Sequence, residues 1–176
     1  TLFRSDLIKN AKHKISDPPF ASGKNKAPLG ISLLDEVNRQ SVTVFHDTKA
    51  SIPVTTKNQP ILVISHWRED GVYSKSLSNQ VRFQHWGTLS AAQTPAHFFS
   101  SIIAYVSHVK DIQRLKLFVK NTSTPVIAVL LKSPYLAHML SDLDSIIFTY
   151  YNSPSARQAA ADIIFGKRKG LGIAPV

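Results

Sequence analysis

Four nearly continuous apolar runs constrain the fold of this chain more than any other feature. They occupy residues 60–66, 101–107, 125–131 and 145–151, and they read PILVISH, SIIAYVS, PVIAVLL and SIIFTYY. Strands have this composition when helices cover both faces of a parallel sheet. Two weaker strands accompany them. Residues 41–46 are β-branched and short, whereas residues 81–86 alternate as an edge or half-exposed strand does.

Helical patterns lie between the predicted strands. Ser32 opens a helix over residues 32–40 with a start similar to a capping box, and its predicted buried stripe is Leu33, Leu34 and Val37. Thr94, followed by a proline, predicts a second helix that carries Phe98 and Phe99 inward. Asp111 is expected to cap a third helix, whose buried stripe is Ile112, Leu115, Phe118 and Val119.

An alanine-rich helix over residues 155–164 follows the last strand, and its close-packing face is Ala156, Ala159, Ala160 and Ile163. Strands and helices that alternate in this way predict a three-layer αβα sandwich with a mostly parallel sheet. Residues 1–15 fit one amphipathic helix, and residues 16–30 carry three prolines and two glycines, which is typical of a linker. We therefore interpret residues 1–30 as the end of a preceding domain plus a linker, and residues 31–176 as the α/β domain.

The net charge of +10 makes polyanions possible partners. The basic residues concentrate at residues 9–26 and 167–169, in terminal segments where solvated charge is common. The chain has no basic strand interleaved with aromatic residues, so nucleic-acid binding is not predicted.

No apolar run is long enough to span a bilayer. The chain has no cysteine, which excludes disulfides, thiolate catalysis and cysteine-ligated zinc.

Ligands of open α/β sheets bind beyond the carboxyl ends of the strands. This rule nominates four loops, at residues 66–70, 108–111, 132–135 and 150–153, which mix aromatic and polar side chains as sugar sites do. The candidate substrate-binding residues are His66, Trp67, Arg68, His108, Tyr135 and Tyr151. The catalytic candidates that the chain contains are Glu69, Asp70 and Asp111. Glu69 and Asp70 are adjacent, so they do not form a carboxylate pair across a cleft by themselves.

Several kinds of site are not predicted. The seven histidines form no His-Glu-x-x-His or other two-histidine helical motif, and we expect no metal site. No Gly-x-Ser-x-Gly elbow and no glycine-rich phosphate loop follows a strand, so neither a serine hydrolase nor a free-standing nucleotide-binding domain is supported, and no cofactor is expected.

The order of several short segments resembles the C-terminal α/β domain of glycoside hydrolase family 3. The segments are LDEVNRQSVTV at residues 34–44, TPVIAV at 124–129, SPY at 133–135 and AAADIIFG at 159–166. The last segment is similar to the family's final helix and its Leu-Phe-Gly. Residues 172–176, GIAPV, depart from the family's usual ending.

The resemblance implies a two-domain enzyme in which a (β/α)8-type barrel carries the catalytic aspartate. In the β-glucosidase branch the α/β domain supplies an acid/base glutamate, but the matching stretch at residues 107–111 has none. The resemblance therefore favours the β-N-acetylglucosaminidase branch, which has its acid/base pair on the barrel, and implies that this chain alone is catalytically silent. Two alternatives stay open: the second domain of a β-glucosidase, and a non-catalytic module that binds carbohydrate or an anionic cell-wall polymer.

Overall fold

The computed structural model describes residues 33–55, 59–67, 80–90 and 94–170. The helix expected over residues 1–15, the linker and the boundary after residue 30 lie outside the described residues, so they stay predictions.

One six-stranded sheet forms the centre of the domain, in the order β1-β6-β5-β4-β2-β3. The strands are β1 (Thr43–Asp47), β2 (Ile61–Ser65), β3 (Val81–His85), β4 (Ser101–Val106), β5 (Val126–Leu130) and β6 (Ser145–Phe148). β1 pairs antiparallel with β6, and every other pairing is parallel. The predicted mostly parallel sheet is confirmed.

Burial explains why the four apolar runs are strands. Every residue of β2, β4, β5 and β6 is buried, as expected when helices cover both faces of a sheet. β3 lies at one edge of the sheet, and its Phe83 is 37% exposed. The alternating pattern therefore identified the edge strand correctly.

Two apolar cores lie on opposite faces of the sheet. One contains Trp86, Ile112 and Leu115, and so includes the inner side of helix α2 (Val109–Val119). The other contains Ala159, Ala160 and Ile163, from helix α3 (Pro154–Ile164). The buried stripes predicted for these two helices are confirmed, and together with the sheet they make the three-layer sandwich. A shorter helix, α1 (Leu33–Gln40), lies beside α3, where the Ser155 hydroxyl donates to Asp35 at 2.9 Å.

Helix α3 ends at a glycine that the backbone requires. Gly166 has a φ of +70°, and a Cβ there would lie 2.9 Å from Cβ of Pro53. Both the left-handed conformation and the close approach exclude larger residues without strain.

Three local predictions are wrong. The stripe predicted to be buried on the first helix is contradicted at Leu33 and Val37, which are 84% and 54% exposed. The segment after Thr94 forms only a 3-10 turn at Ala96–Phe98, because β4 begins three residues later. Phe99 points into the core at 9% exposure, but Phe98 is 57% exposed. Asp111 does not occupy the N-cap position of α2. His108 occupies the N-cap position, and Asp111 is the third helical residue.

Candidate functional site at the carboxyl edge

The carboxyl ends of β2, β4, β5 and β6 lie side by side in the sheet, since these strands are consecutive neighbours and parallel. The four loops nominated from the sequence therefore follow four adjacent strands. We call this end of the sheet the carboxyl edge, and define it by the residues that follow β2, β3, β4, β5 and β6.

A histidine–aspartate pair joins the loops after β2 and β4. Nε2 of His66 lies 3.0 Å from Oδ1 and 3.1 Å from Oδ2 of Asp111. The Asp111 side chain is 3% exposed, whereas the His66 side chain is 28% exposed. The carboxylate is thus held inside the domain, and the imidazole reaches from it toward the surface.

Backbone amides fix the position of the Asp111 carboxylate. The N–H groups of Ser107 and His108 each donate to Oδ2 at 3.0 Å. A carboxylate near a helix N-terminus also interacts favourably with the unpaired amides and the helix dipole. Asp111 therefore has a structural role in starting α2 as well as a contact with His66.

Aromatic rings surround His66. The ring centroids of Trp67, His85, His108 and Trp86 lie 5.6, 5.8, 5.9 and 6.2 Å from that of His66. His85 and Trp86 were not among the predicted site residues. His85 ends β3 and Trp86 follows it. The parallel direction of β3 brings both residues to the carboxyl edge, and an alternating run does not reveal the direction of a strand in its sheet.

Trp86 forms a rigid part of this cluster. Its side chain is buried, and its indole N–H donates to the carbonyl of Tyr105 at 2.9 Å. The guanidinium of Arg114 donates to the carbonyl of Trp86 at 3.1 Å. These bonds anchor the segment after β3 to β4 and α2, so one side of the His66 ring packs against a fixed surface.

A second contact connects the loops after β2 and β6. The guanidinium of Arg157 lies 5.1 Å from the ring centroid of Trp67, within the range of a cation–π interaction. Arg157 also donates to Oδ1 of Asn152 at 2.7 Å. Trp67 is 38% exposed, so it keeps an accessible aromatic surface beside the histidine–aspartate pair.

The structure brings together four of the nine predicted site residues: His66, Trp67, His108 and Asp111. Tyr135 and Tyr151 are 83% and 55% exposed, and no hydrogen bond or ring contact in the described part of the chain links either to this cluster. Arg68, Glu69 and Asp70 lie outside the described residues. Asp111 is the one carboxylate that the described parts of the four loops contain.

The grouping of histidines has a consequence for the expectation of no metal site. The histidines are isolated in the sequence, but the ring centroids of His85 and His108 lie 5.8 and 5.9 Å from that of His66. Spacing along the chain is therefore no guide to which histidines meet at this edge, and the expectation of no metal site stays a prediction.

The opposite, amino edge of the sheet holds a cavity of about 430 Å³ beside the start of β5, lined in part by Lys49, Lys116, Asp142 and Asp144. Two of its lysines form ion pairs: Lys49 lies 2.6 Å from Asp144, and Lys116 lies 2.9 Å from Asp142. Lys120 also lines the cavity. No aromatic side chain among the described residues lines this cavity, so it lacks the aromatic surface that Trp67 gives the carboxyl edge.

The fold and the carboxyl edge define the class: an α/β sandwich whose parallel strands end in a cluster of histidine, tryptophan and aspartate side chains. A scan against protein-family models finds no match, and a search of curated protein sequences finds no relative. Several solved structures have a fold similar to that of this chain. A glycoside hydrolase family 3 β-N-acetylglucosaminidase from Paenibacillus sp. str. FPU-7 matches with a TM-score of 0.67 at 15% identity, over 94% of this chain and 36% of that one.

Two further structures share the fold. A fungal multi-domain family 3 β-N-acetylglucosaminidase matches with a TM-score of 0.63 at 17% identity, over 76% of this chain and 17% of that one. The β-glucosidase from Listeria innocua, in complex with gluconolactone, matches with a TM-score of 0.59 at 13% identity, over 76% and 24%. The chain thus has the fold of one part of family 3 glycoside hydrolases, and it spans between 17% and 36% of these three proteins.

None of the helices in the described part of the chain is long and apolar enough to cross a membrane.

Proposed function

We propose that this chain is the α/β domain of a family 3 glycoside hydrolase that removes terminal β-linked N-acetylglucosamine, and that it works beside a catalytic barrel of the same protein. The observation that carries the proposal is the match to the Paenibacillus β-N-acetylglucosaminidase over 94% of this chain. The chain spans 36% of that protein, so a protein of similar length would have a further region that can contain the barrel.

The carboxylates in the described loops favour the β-N-acetylglucosaminidase branch over the β-glucosidase branch. Glycoside hydrolysis ordinarily needs two carboxylic groups on either side of the scissile bond. In the described loops of the carboxyl edge, Asp111 is the one carboxylate, and both of its oxygens are within hydrogen-bonding distance of protein donors. The Asp111 carboxylate is therefore engaged by contacts within the domain. Together with the missing glutamate at residues 107–111, this arrangement favours an enzyme that takes its nucleophile and its acid/base from the barrel. Glu69 and Asp70 lie outside the described residues.

The role proposed for the carboxyl edge is to form one side of the sugar-binding site. Trp67 offers an exposed aromatic face beside the ring of His66, which contacts the buried Asp111. Tyr151, also exposed, follows β6 at the same edge. Ligand sites combine apolar and aromatic surfaces with a few oriented polar groups, and this edge has that character.

The test is hydrolysis of a chromogenic β-N-acetylglucosaminide by the 176-residue chain and by the chain with its upstream coding region restored. We expect turnover only in the longer protein. In that protein, Trp67→Ala should lower kcat/KM by about tenfold, equivalent to about 1.4 kcal/mol of lost contact. The matched control is Phe98→Ala, which removes an exposed aromatic side chain before β4.

Three outcomes would contradict the proposal. Turnover by the 176-residue chain would place a complete catalytic set within it. Turnover of a β-glucoside but not of the β-N-acetylglucosaminide, lost in Glu69→Gln, would assign the chain to the β-glucosidase alternative. No turnover by either protein, together with binding to an anionic wall polymer whose affinity falls steeply as the salt concentration rises, would favour the binding-module alternative.

A further inference from the structure

Three metal-ligating side chains converge at the carboxyl edge. One nitrogen each of His66 and His108 and one carboxylate oxygen of Asp111 all lie within 4.8 Å of one another. We propose that these three residues bind a divalent transition-metal ion, with zinc as the best-matched metal. The set of two imidazoles and one carboxylate is one that zinc uses in proteins, often with an open fourth position.

The spacing of the donor atoms suits a tetrahedral ion. Nε2 of His66 lies 3.0 Å from Oδ1 of Asp111, and Nδ1 of His108 lies 3.6 Å from Oδ2. Zinc bonds of about 2.0–2.2 Å to nitrogen and oxygen place tetrahedral ligand atoms roughly 3.3–3.6 Å apart. The two imidazole nitrogens lie within 4.8 Å of each other, so bringing them to this spacing requires a movement of about 1 Å at most.

The carboxylate is held in place before any ion arrives. The amides of Ser107 and His108 occupy Oδ2, whereas Oδ1 of Asp111 faces His66. Backbone bonds of this kind orient a ligating carboxylate, and the loss of such outer contacts lowers metal affinity. Oδ1 is thus a pre-positioned metal ligand that already has its supporting bonds.

Binding changes the tautomer of His66. In the metal-free protein it is an Nε2–H of His66 that can donate to the Asp111 carboxylate. With the ion on Nε2, the neutral ring carries its proton on Nδ1, so the proton moves between the two ring nitrogens through solvent and none is released overall. The side chains of His66 and His108 are 28% and 62% exposed, so the ion has a path from solvent and a side open to water.

This inference goes beyond the proposed glycosidase role, because the three ligands come from this chain and binding requires no turnover. The test is titration of the metal-stripped 176-residue chain with zinc against a chromophoric chelator. We expect one zinc per chain, with affinity falling about 10- to 100-fold in His66→Gln and in His108→Gln. His97→Gln, which changes an exposed histidine outside the cluster, should bind as the parent does.

A second measurement separates ligation from folding. Replacing the exposed His108 should leave the circular dichroism and the unfolding midpoint of the metal-free chain unchanged. Cobalt(II) should give the intense visible absorption of a four-coordinate ion in the parent chain and lose it in His108→Gln. Equal zinc affinity in the parent, His66→Gln and His108→Gln chains, or a weak six-coordinate cobalt spectrum in the parent, would overturn the metal site and leave the glycosidase proposal intact.

Discussion

Asp111 connects three parts of the carboxyl edge through one carboxylate. It accepts hydrogen bonds from the amides of Ser107 and His108 and contacts the His66 ring. Its removal leaves buried donors without partners, and such donors cost about 1–3 kcal/mol each. The residue therefore has structural importance whether or not an ion binds.

We expect Asp111→Ala to lower the free energy of unfolding by about 2–3 kcal/mol, measured by urea denaturation of the metal-free chain. The matched control is Asp142→Ala. The Asp142 side chain is 60% exposed, and its ion pair with Lys116 lies at the surface, where such pairs contribute about 0–1 kcal/mol. Equal losses in the two variants would contradict the structural role assigned to Asp111.

At the same scale, the sequence allowed part of the site to be predicted. His66, Trp67, His108 and Asp111 follow strands whose apolar runs are unmistakable, and the rule for parallel sheets places them together. His85 and Trp86 were missed because they end an alternating strand whose direction depends on its pairing with β2. Arg157 was missed because its contact with Trp67 spans 90 residues of sequence, and no local pattern encodes such a contact.

The elements of the domain follow from burial patterns that the sequence displays. All four doubly covered strands and the buried stripes of α2 and α3 agree with the predictions, since both depend on local periodicity. The segment before β4 differs. Its Thr-Pro start favours a helix, but only one 3-10 turn fits before the strand begins, and this turn leaves Phe98 outside.

The two neighbouring phenylalanines give a direct test of this packing. Phe99→Ala removes a side chain that is 9% exposed and packs in the core with Trp86, and should cost about 3–5 kcal/mol of unfolding free energy. Phe98→Ala, at 57% exposure, should change it by less than about 0.5 kcal/mol. A larger loss from Phe98→Ala than from Phe99→Ala in thermal or urea unfolding would mean that the turn faces the other way.

For the whole molecule, two edges of one sheet offer different surfaces. The amino edge has a cavity in which Lys49 and Lys116 are paired with aspartates, whereas the carboxyl edge has exposed Trp67 and the His66–Asp111 pair. If the domain walls a sugar site, the carboxyl edge is the surface that faces it. The similarity to solved structures supports the fold at identities of 13–17%.

The most direct test is a crystal structure of the chain with its upstream coding region, bound to N-acetylglucosamine. The account predicts a barrel that holds the sugar against the carboxyl edge, with His66 or Trp67 within about 4 Å of the sugar or its aglycone. A sugar site bordered by the amino edge around Lys49 and Lys116, or one that the sandwich does not reach, would contradict it.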